Sequence, residues 1–405
     1  MAAWRGSRRR TGGMVALSLV VVALAAGCTG TPDAEPRRSD DSSRETSSTK
    51  ATPPPTPVKL SITPGNNATG IAPGAPITVA AVGGKLTRVV LKNDAGEPVR
   101  GRLSPDATTW QTTEPLGFTR TYTATATGMG TNGKPATLTS TFSTITPALR
   151  ADLSMNPLDG QTVGVGQPLA FYFDTDISKK RAVERAIQIT TTPPVEGAFY
   201  WFDDSEVHWR PKNYWPAGTK VKINAAIYGK NFGNGVYGNN DRTANITIGR
   251  AITAVADGRT HTMKVKVDGK LARTIPISMG KPGHETPHGT YVVMSEHLGY
   301  TMDSSTYGVP TDSAAGYRTY VDIASRMSNS GIFYHSAPWS VADQGQDNVS
   351  HGCINMTTAH ATWLQNISQK GDIIVVKNSG GPALEPWDGL GDWQIPWHEY
   401  KKGNR

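Results

Sequence analysis

The chain has 405 residues, of which 37% are hydrophobic and 18% charged, with 43 glycines and 28 prolines. That length holds two or three domains, and the glycine and proline content excludes a mainly helical or coiled-coil protein in favour of a turn-rich β protein. The formal charge is +8, but the basic residues are scattered with no interleaved aromatic ladder, so nucleic acid is not an expected partner and an anionic lipid surface or wall polymer is.

Residues 1–28 read as an export signal. Arg5, Arg8, Arg9 and Arg10 precede an apolar stretch, 14–26, too short for a secure membrane span. It ends Leu24-Ala25-Ala26-Gly27-Cys28, which resembles a lipobox and predicts lipidation of Cys28 and anchoring to the outer face of the cytoplasmic membrane. Ordinary cleavage and an uncleaved anchor are the alternatives, and each exports the protein. Residues 29–57 are rich in Ser, Thr and Pro; they cannot bury a core and read as a disordered tether.

Residues 58–147 carry short alternating runs at 59–62, 76–79, 88–91 and 120–126, separated by Pro64-Gly65, Gly83-Gly84 and Asn93-Asp94. This spacing predicts an immunoglobulin-like sandwich. Residues 148–249 repeat the theme, with the run from Trp110 echoed at Trp209-Arg210-Pro211 and Trp215-Pro216. A second sandwich is expected, with one helical turn at 179–187.

Residues 250–377 change character. The runs 262–267 and 274–279 flank Asp268-Gly269, which predicts a hairpin. Further strands are expected at 291–294, 320–323, 332–334 and 373–376. A helix is expected at 356–367 from the spacing of Met356, Trp363, Leu364 and Ile367. The weakly patterned stretch 298–317 reads as a lid or binding loop. Residues 378–405, with Trp387, Trp393 and Trp397, read as a tail packed onto this domain.

Cysteine is scarce, with two in the chain. If Cys28 carries lipid, Cys353 has no intramolecular partner and is a candidate nucleophile; a small buried core residue is the bland alternative. Cys353 lies in Ser350-His351-Gly352-Cys353-Ile354-Asn355. With a helix expected directly after it, Cys353 is placed at a helix N-terminus, where the dipole and free N–H groups favour a thiolate and hold an oxyanion. His335 ends the apolar run from Gly331, on an expected strand, and is the candidate base.

Two motifs point elsewhere. His284 to His288 matches H-E-x-x-H, but Pro287 inside it and Gly283 and Gly289 around it exclude the helix that zinc binding needs, so no metal is expected. Gly233 to Gly238 matches G-x-G-x-x-G, but Asn239-Asn240-Asp241 and a strand-like run follow, so a hairpin loop is expected and no cofactor.

A His followed by S-H-G-C-I-N resembles the signature of the L,D-transpeptidase catalytic domain of the YkuD type. Pro287-His288-Gly289-Thr290-Tyr291 resembles that family's T-P-x-G-x-Y/F strand. The upstream modules and tryptophan-rich tail are similar to its actinobacterial branch. The resemblance implies a mainly β protein, two immunoglobulin-like sandwiches followed by a β-rich catalytic domain with one helix after the cysteine. It implies Cys353 as nucleophile, His335 as general acid and base, and the Ser336 carbonyl as the group orienting the imidazole, with Asp343 and Asp347 as alternatives. Amides around His351, Gly352 and Cys353 are oxyanion donors, and His351 is a scaffold residue or second base. The resemblance assigns Tyr317, Ser330, Gly331 and Asn355 to donor binding or site shaping, and Tyr307, Met302 and Trp339 are expected to line the pocket.

The implied substrates are peptidoglycan stem peptides. A donor tetrapeptide loses its terminal D-Ala and an acceptor stem supplies an amine, giving a 3→3 cross-link; the same thiol is expected to take carbapenems. A non-catalytic envelope spacer and a wall-peptide L,D-carboxypeptidase are the alternatives. A sortase needs an arginine after the cysteine, where Arg405 alone occurs, and papain-like enzymes place the cysteine before the histidine.

Overall fold

The computed structural model describes residues 54–313 and 316–405. The signal segment, Cys28 and tether residues 29–53 lie outside them.

The first sandwich pairs a sheet in the order Lys59–Thr63, Thr78–Val82, Thr109–Thr112, Gly101–Leu103 with one in the order Ala68–Ile71, Pro135–Thr144, Thr121–Gly130, Gly84–Asn93. Period-two patterning builds it. Tyr122, Ala124 and Ala126 are buried, while Thr123, Thr125 and Thr127 on the outer face stand opposite Thr141, Thr139 and Thr137.

The second sandwich has a sheet of the same order, Leu153–Asn156, Leu169–Phe173, Glu206–Pro211, Gly197–Trp201, facing Thr162–Val163, Arg242–Ile248, Lys220–Ala225, Ile187–Thr192. The tandem repeat has a packing reason. In each module a glycine on the last strand, Gly101 or Gly197, lies against the indole of the next, Trp110 or Trp209, so closely that a Cβ would overlap the ring. The helical turn is Lys180–Ala186. The glycine-rich run forms the hairpin Asn231–Gly233 and Val236–Gly238.

Residues 252–377 form two further sheets. One runs Lys270–Pro276, Thr262–Val267, Ile252–Asp257, Ile373–Lys377, Gly289–Val292; the other runs Ser295–Asp303, Arg318–Arg326, Phe333–Ser336, Ile354–Met356. Asp268 and Gly269 both have positive φ, 49° and 79°, as a two-residue hairpin turn of this type demands. The core holds Met263, Val265, Tyr291, Tyr334, Ile354 and Met356, closed by Ala361 and Leu364 of helix Thr358–Ile367. Each such large apolar side chain contributes roughly 1.5–3 kcal/mol by burial.

Three expectations need correction. The helix begins at Thr358, where the Thr357 hydroxyl accepts from the His360 amide at 3.2 Å and caps it. Ile354–Met356 before it is a strand, because it pairs in parallel with Tyr334–Ser336. The stretch from Leu298 is not irregular throughout: Ser295–Asp303 is an edge strand and Ser304–Tyr307 a 3-10 turn. Its period is hidden because Leu298 is 81% exposed.

The tail, finally, does not pack on the catalytic region alone. Asp388 accepts from the Ser330 amide and Gln394 bonds Thr290, but Trp393 Nε1 also donates to Gly166 O of the second sandwich at 2.7 Å. The Arg210 guanidinium lies 4.5 Å from the Trp393 ring and 4.2 Å from that of Tyr400, a cation–π stack. Buried Asp392 sits 3.0 Å from His208 Nδ1 and accepts from Tyr400 Oη at 2.7 Å. Burial opposes a charged His208, yet Asp392 and Glu206 hold its imidazole up at about 9. The tail therefore clamps sandwich to catalytic region through a buried ion pair, and Gly164 N to Lys370 O at 2.8 Å adds a direct backbone bond between them.

Candidate active site

The parallel pairing of Phe333–Ser336 with Ile354–Met356 sets His335 opposite Asn355 and leaves Cys353 just before the second strand. His335 Nδ1 lies 2.9 Å from Ser336 O. A carbonyl oxygen only accepts, so Nδ1 carries the proton and Nε2 keeps a free lone pair. Burial pushes the ring down to about 4, against the Ser336 carbonyl and Asn355 side chain, which pull it up. The imidazole is neutral at physiological pH.

Cys353 is 7% exposed, and burial pushes its thiol up to about 12 against the Phe333 backbone, which lowers it. Its sulfur donates to Gly331 O at 3.4 Å. The resting pair is thus thiol and imidazole, both uncharged. The helix dipole expected to favour a thiolate is not at hand. It fades within the first turn, and that turn begins only at Thr358, beyond the intervening strand.

The turn before the sulfur is pinned at several points. Gly352 has φ 123°, a region where a side chain is strained. Ser350 Oγ donates to Cys353 O at 2.6 Å and accepts from the Gly352 amide at 3.0 Å. Buried Thr286 donates through Oγ1 to Gly352 O at 2.7 Å and accepts from the Gly280 amide at 3.0 Å. In a planar trans peptide the Gly352 C=O and Cys353 N–H point opposite ways, so Thr286 also fixes the direction of the Cys353 N–H. Of the three expected oxyanion donors, the Gly352 amide is engaged by Ser350; those of His351 and Cys353 have no partner among the described residues. Thr286 escaped the sequence reading. The available signal was its place directly before Pro287, at the first position of the T-P-x-G pattern.

Cys353, His335 and Asn355 open onto a pocket of about 330 Å³, with Met302, Tyr317, Trp339, Asp343 and His351 in its wall. The Trp339 ring is 57% exposed and stacks 5.9 Å from His335, so it covers the site rather than filling a core. Asn355 Nδ2 donates to Ser340 Oγ at 3.1 Å. The Tyr317 ring lies 5.5 Å from that of His351. Burial, Lys281 and His284 all push the His351 ring down, and Lys281 Nζ is 3.4 Å from its Nε2.

Two expected residues, Ser330 and Tyr307, stand behind the pocket instead of in its wall, while Gly331 meets the site through the carbonyl that accepts from the Cys353 sulfur. Ser330 is tied to Asp388. Gly331, with φ 94°, packs so tightly on the Tyr307 ring that a Cβ would collide with it, and Tyr307 Oη accepts from Arg326 at 2.8 Å. The Ser336 carbonyl, not Asp343 or Asp347, meets His335; Asp347 is exposed. His284 and His288 lie in a turn and loop with no helix, and His288 Nδ1 donates to Gly381 O at 2.8 Å.

Comparison with known proteins shows the family. The L,D-transpeptidase catalytic domain family matches residues 251–376 and the bacterial Ig domain family residues 68–231. The chain is 46% identical over 346 residues to L,D-transpeptidase 2 of Mycobacterium tuberculosis, covering 85% of each. It is 36% identical over 353 residues to L,D-transpeptidase 5 of that organism, covering 85% of this chain and 76% of the relative. The solved structure of the LD transpeptidase LdtMt1 in complex with imipenem aligns with a TM-score of 0.50 at 38% identity, over 57% of this chain and 100% of that one. The chain, mostly β with an immunoglobulin-like region before a YkuD-type catalytic domain, belongs to the L,D-transpeptidase family.

Proposed function

We propose that this L,D-transpeptidase makes 3→3 cross-links between peptidoglycan stem peptides through an acyl-thioester on Cys353, with His335 as general base and then general acid. The observation that supports this most is the His335 tautomer. Nδ1–H is spent on Ser336 O, so Nε2 is free to take the thiol proton.

The chemistry follows from the neutral pair. As sulfur attacks the donor carbonyl, its proton passes to Nε2, and the His351 and Cys353 amides receive the oxyanion. The C–N bond to the terminal D-Ala then breaks, and His335 returns the proton to the departing amine. A carbapenem takes the same attack at its strained ring carbonyl and stays attached as the ring opens. Residues 1–28 and Cys28 support export and lipid anchoring in the cell envelope, with tether 29–57 and sandwiches at 58–147 and 148–249 carrying the catalytic domain of 250–377 to the wall. The tail, 378–405, braces the last two.

Incubation with a disaccharide-tetrapeptide and analysis of the products by mass tests this. The expected products are free D-Ala and an equal amount of a dimer lighter by one D-Ala than two substrates. Tripeptide monomer without dimer identifies an L,D-carboxypeptidase instead, and no turnover by folded protein returns the reading to an envelope spacer.

A further inference from the structure

We propose that Asp343 forms an acceptor subsite that captures the incoming stem's primary amine as its ammonium; this rests on the acyl-transfer reading above. Asp343 is the only carboxylate lining the Cys353 pocket among the described residues. Its side chain is half-buried and makes no hydrogen bond or ion pair among them. The role for which it was a candidate, orienting His335, is filled by Ser336 O at 2.9 Å, so the carboxylate is unspent.

It is also held in place. The Asp343 amide donates to Ser340 O at 3.1 Å, and its carbonyl accepts from the Gln346 and Asp347 amides at 2.9 and 2.8 Å. Gln344 Nε2 ties the same segment to Ala337 O at 3.0 Å. A carboxylate on a braced turn keeps one direction, which is what recognition of a charged group needs. The opposite sign is also present near the site: Lys281 lies against pocket residue His351. Of the two charged groups only Asp343 lines the pocket, where it offers an anion for a substrate ammonium.

The transfer balances as follows. The amine nitrogen attacks the thioester carbonyl; the C–N bond forms and the C–S bond breaks. Of the two protons the ammonium gives up, one goes to solvent as the amine leaves Asp343. The other passes through His335 to the departing sulfur and restores the thiol.

The test separates the two half-reactions in the full folded chain. Asp343→Asn keeps the shape and removes the charge. Formation of the acyl-enzyme with a carbapenem should stay within about 2-fold of the wild type, whereas the KM for the acceptor amine should rise roughly 10- to 100-fold, the range for a hydrogen bond to a charged group. The ratio of dimer to hydrolysed tripeptide should fall with it, and Asp343→Glu should recover part of the loss. An unchanged ratio in Asp343→Asn overturns the proposal, as does a parallel fall in acylation, which makes Asp343 a structural residue. Absence of any acyl-enzyme in the wild type overturns the underlying reading as well.

Discussion

His335→Gln should lower the rate at which Cys353 is acylated by about 10²- to 10⁴-fold, the span general-base catalysis covers. The reason is the resting state of the pair. With the thiol pushed up to about 12, almost no thiolate exists at neutral pH, so the proton must leave as sulfur attacks. His335 can accept it because burial keeps the ring neutral down to about 4. Wild-type acylation should therefore be flat between about pH 5 and pH 9 and fall as pH drops through the value at which His335 takes a proton. The variant should instead gain rate about tenfold per pH unit toward the thiol's value. The same shift has a stability consequence. The folded ring titrates below its ordinary 6.5, so the unfolded chain binds the proton first; the contribution of His335 to stability is full above about 6.5 and is lost as pH falls toward 4. Acylation rates by intact mass across this range check the prediction. A wild-type rate that climbs tenfold per unit through neutrality would remove His335 from the proton path.

Thr286→Val should cost about 10²- to 10³-fold in acylation, comparable to deleting one oxyanion donor. Valine keeps the volume but loses the hydroxyl that holds Gly352 O at 2.7 Å, and with it the direction of the Cys353 N–H. The control is chemical. Alkylation by iodoacetamide displaces a leaving group at a saturated carbon and builds no oxyanion, so its rate should not change. Thr286→Ser, which keeps the hydroxyl, should restore acylation. Valine also strips the Gly280 amide of its acceptor, a loss of about 1–3 kcal/mol in stability, so melting is followed in parallel. An equal fall with both reagents means the sulfur itself has moved, and Thr286 then serves the fold alone.

Local signals carried much of the architecture. Asp268-Gly269 marked its hairpin because two positive φ values favour that pair. The repeated tryptophans marked twin sandwiches because each covers a glycine on its neighbouring strand. His335 fell on a strand at the end of an apolar run. What stayed hidden is non-local. Ile354–Met356 is too short to show a period, and Met356 fell by coincidence in step with the helix that follows. A parallel partner outside the segment decides its state. Tyr307 and Ser330 keep their neighbourhood but stand behind the pocket, since nothing in spacing tells a wall from its backing. The clamp of His208 and Arg210 against the tail joins residues 184 and 185 positions apart, which one chain read alone cannot pair.

The most direct measurement is peptide mapping of the protein after incubation with imipenem, beside Cys353→Ala. One adduct carrying the whole mass of the drug is expected, on the peptide that contains Cys353, and none on the variant. Unmodified wild-type protein after long incubation, or an adduct that persists in Cys353→Ala, contradicts a nucleophilic Cys353.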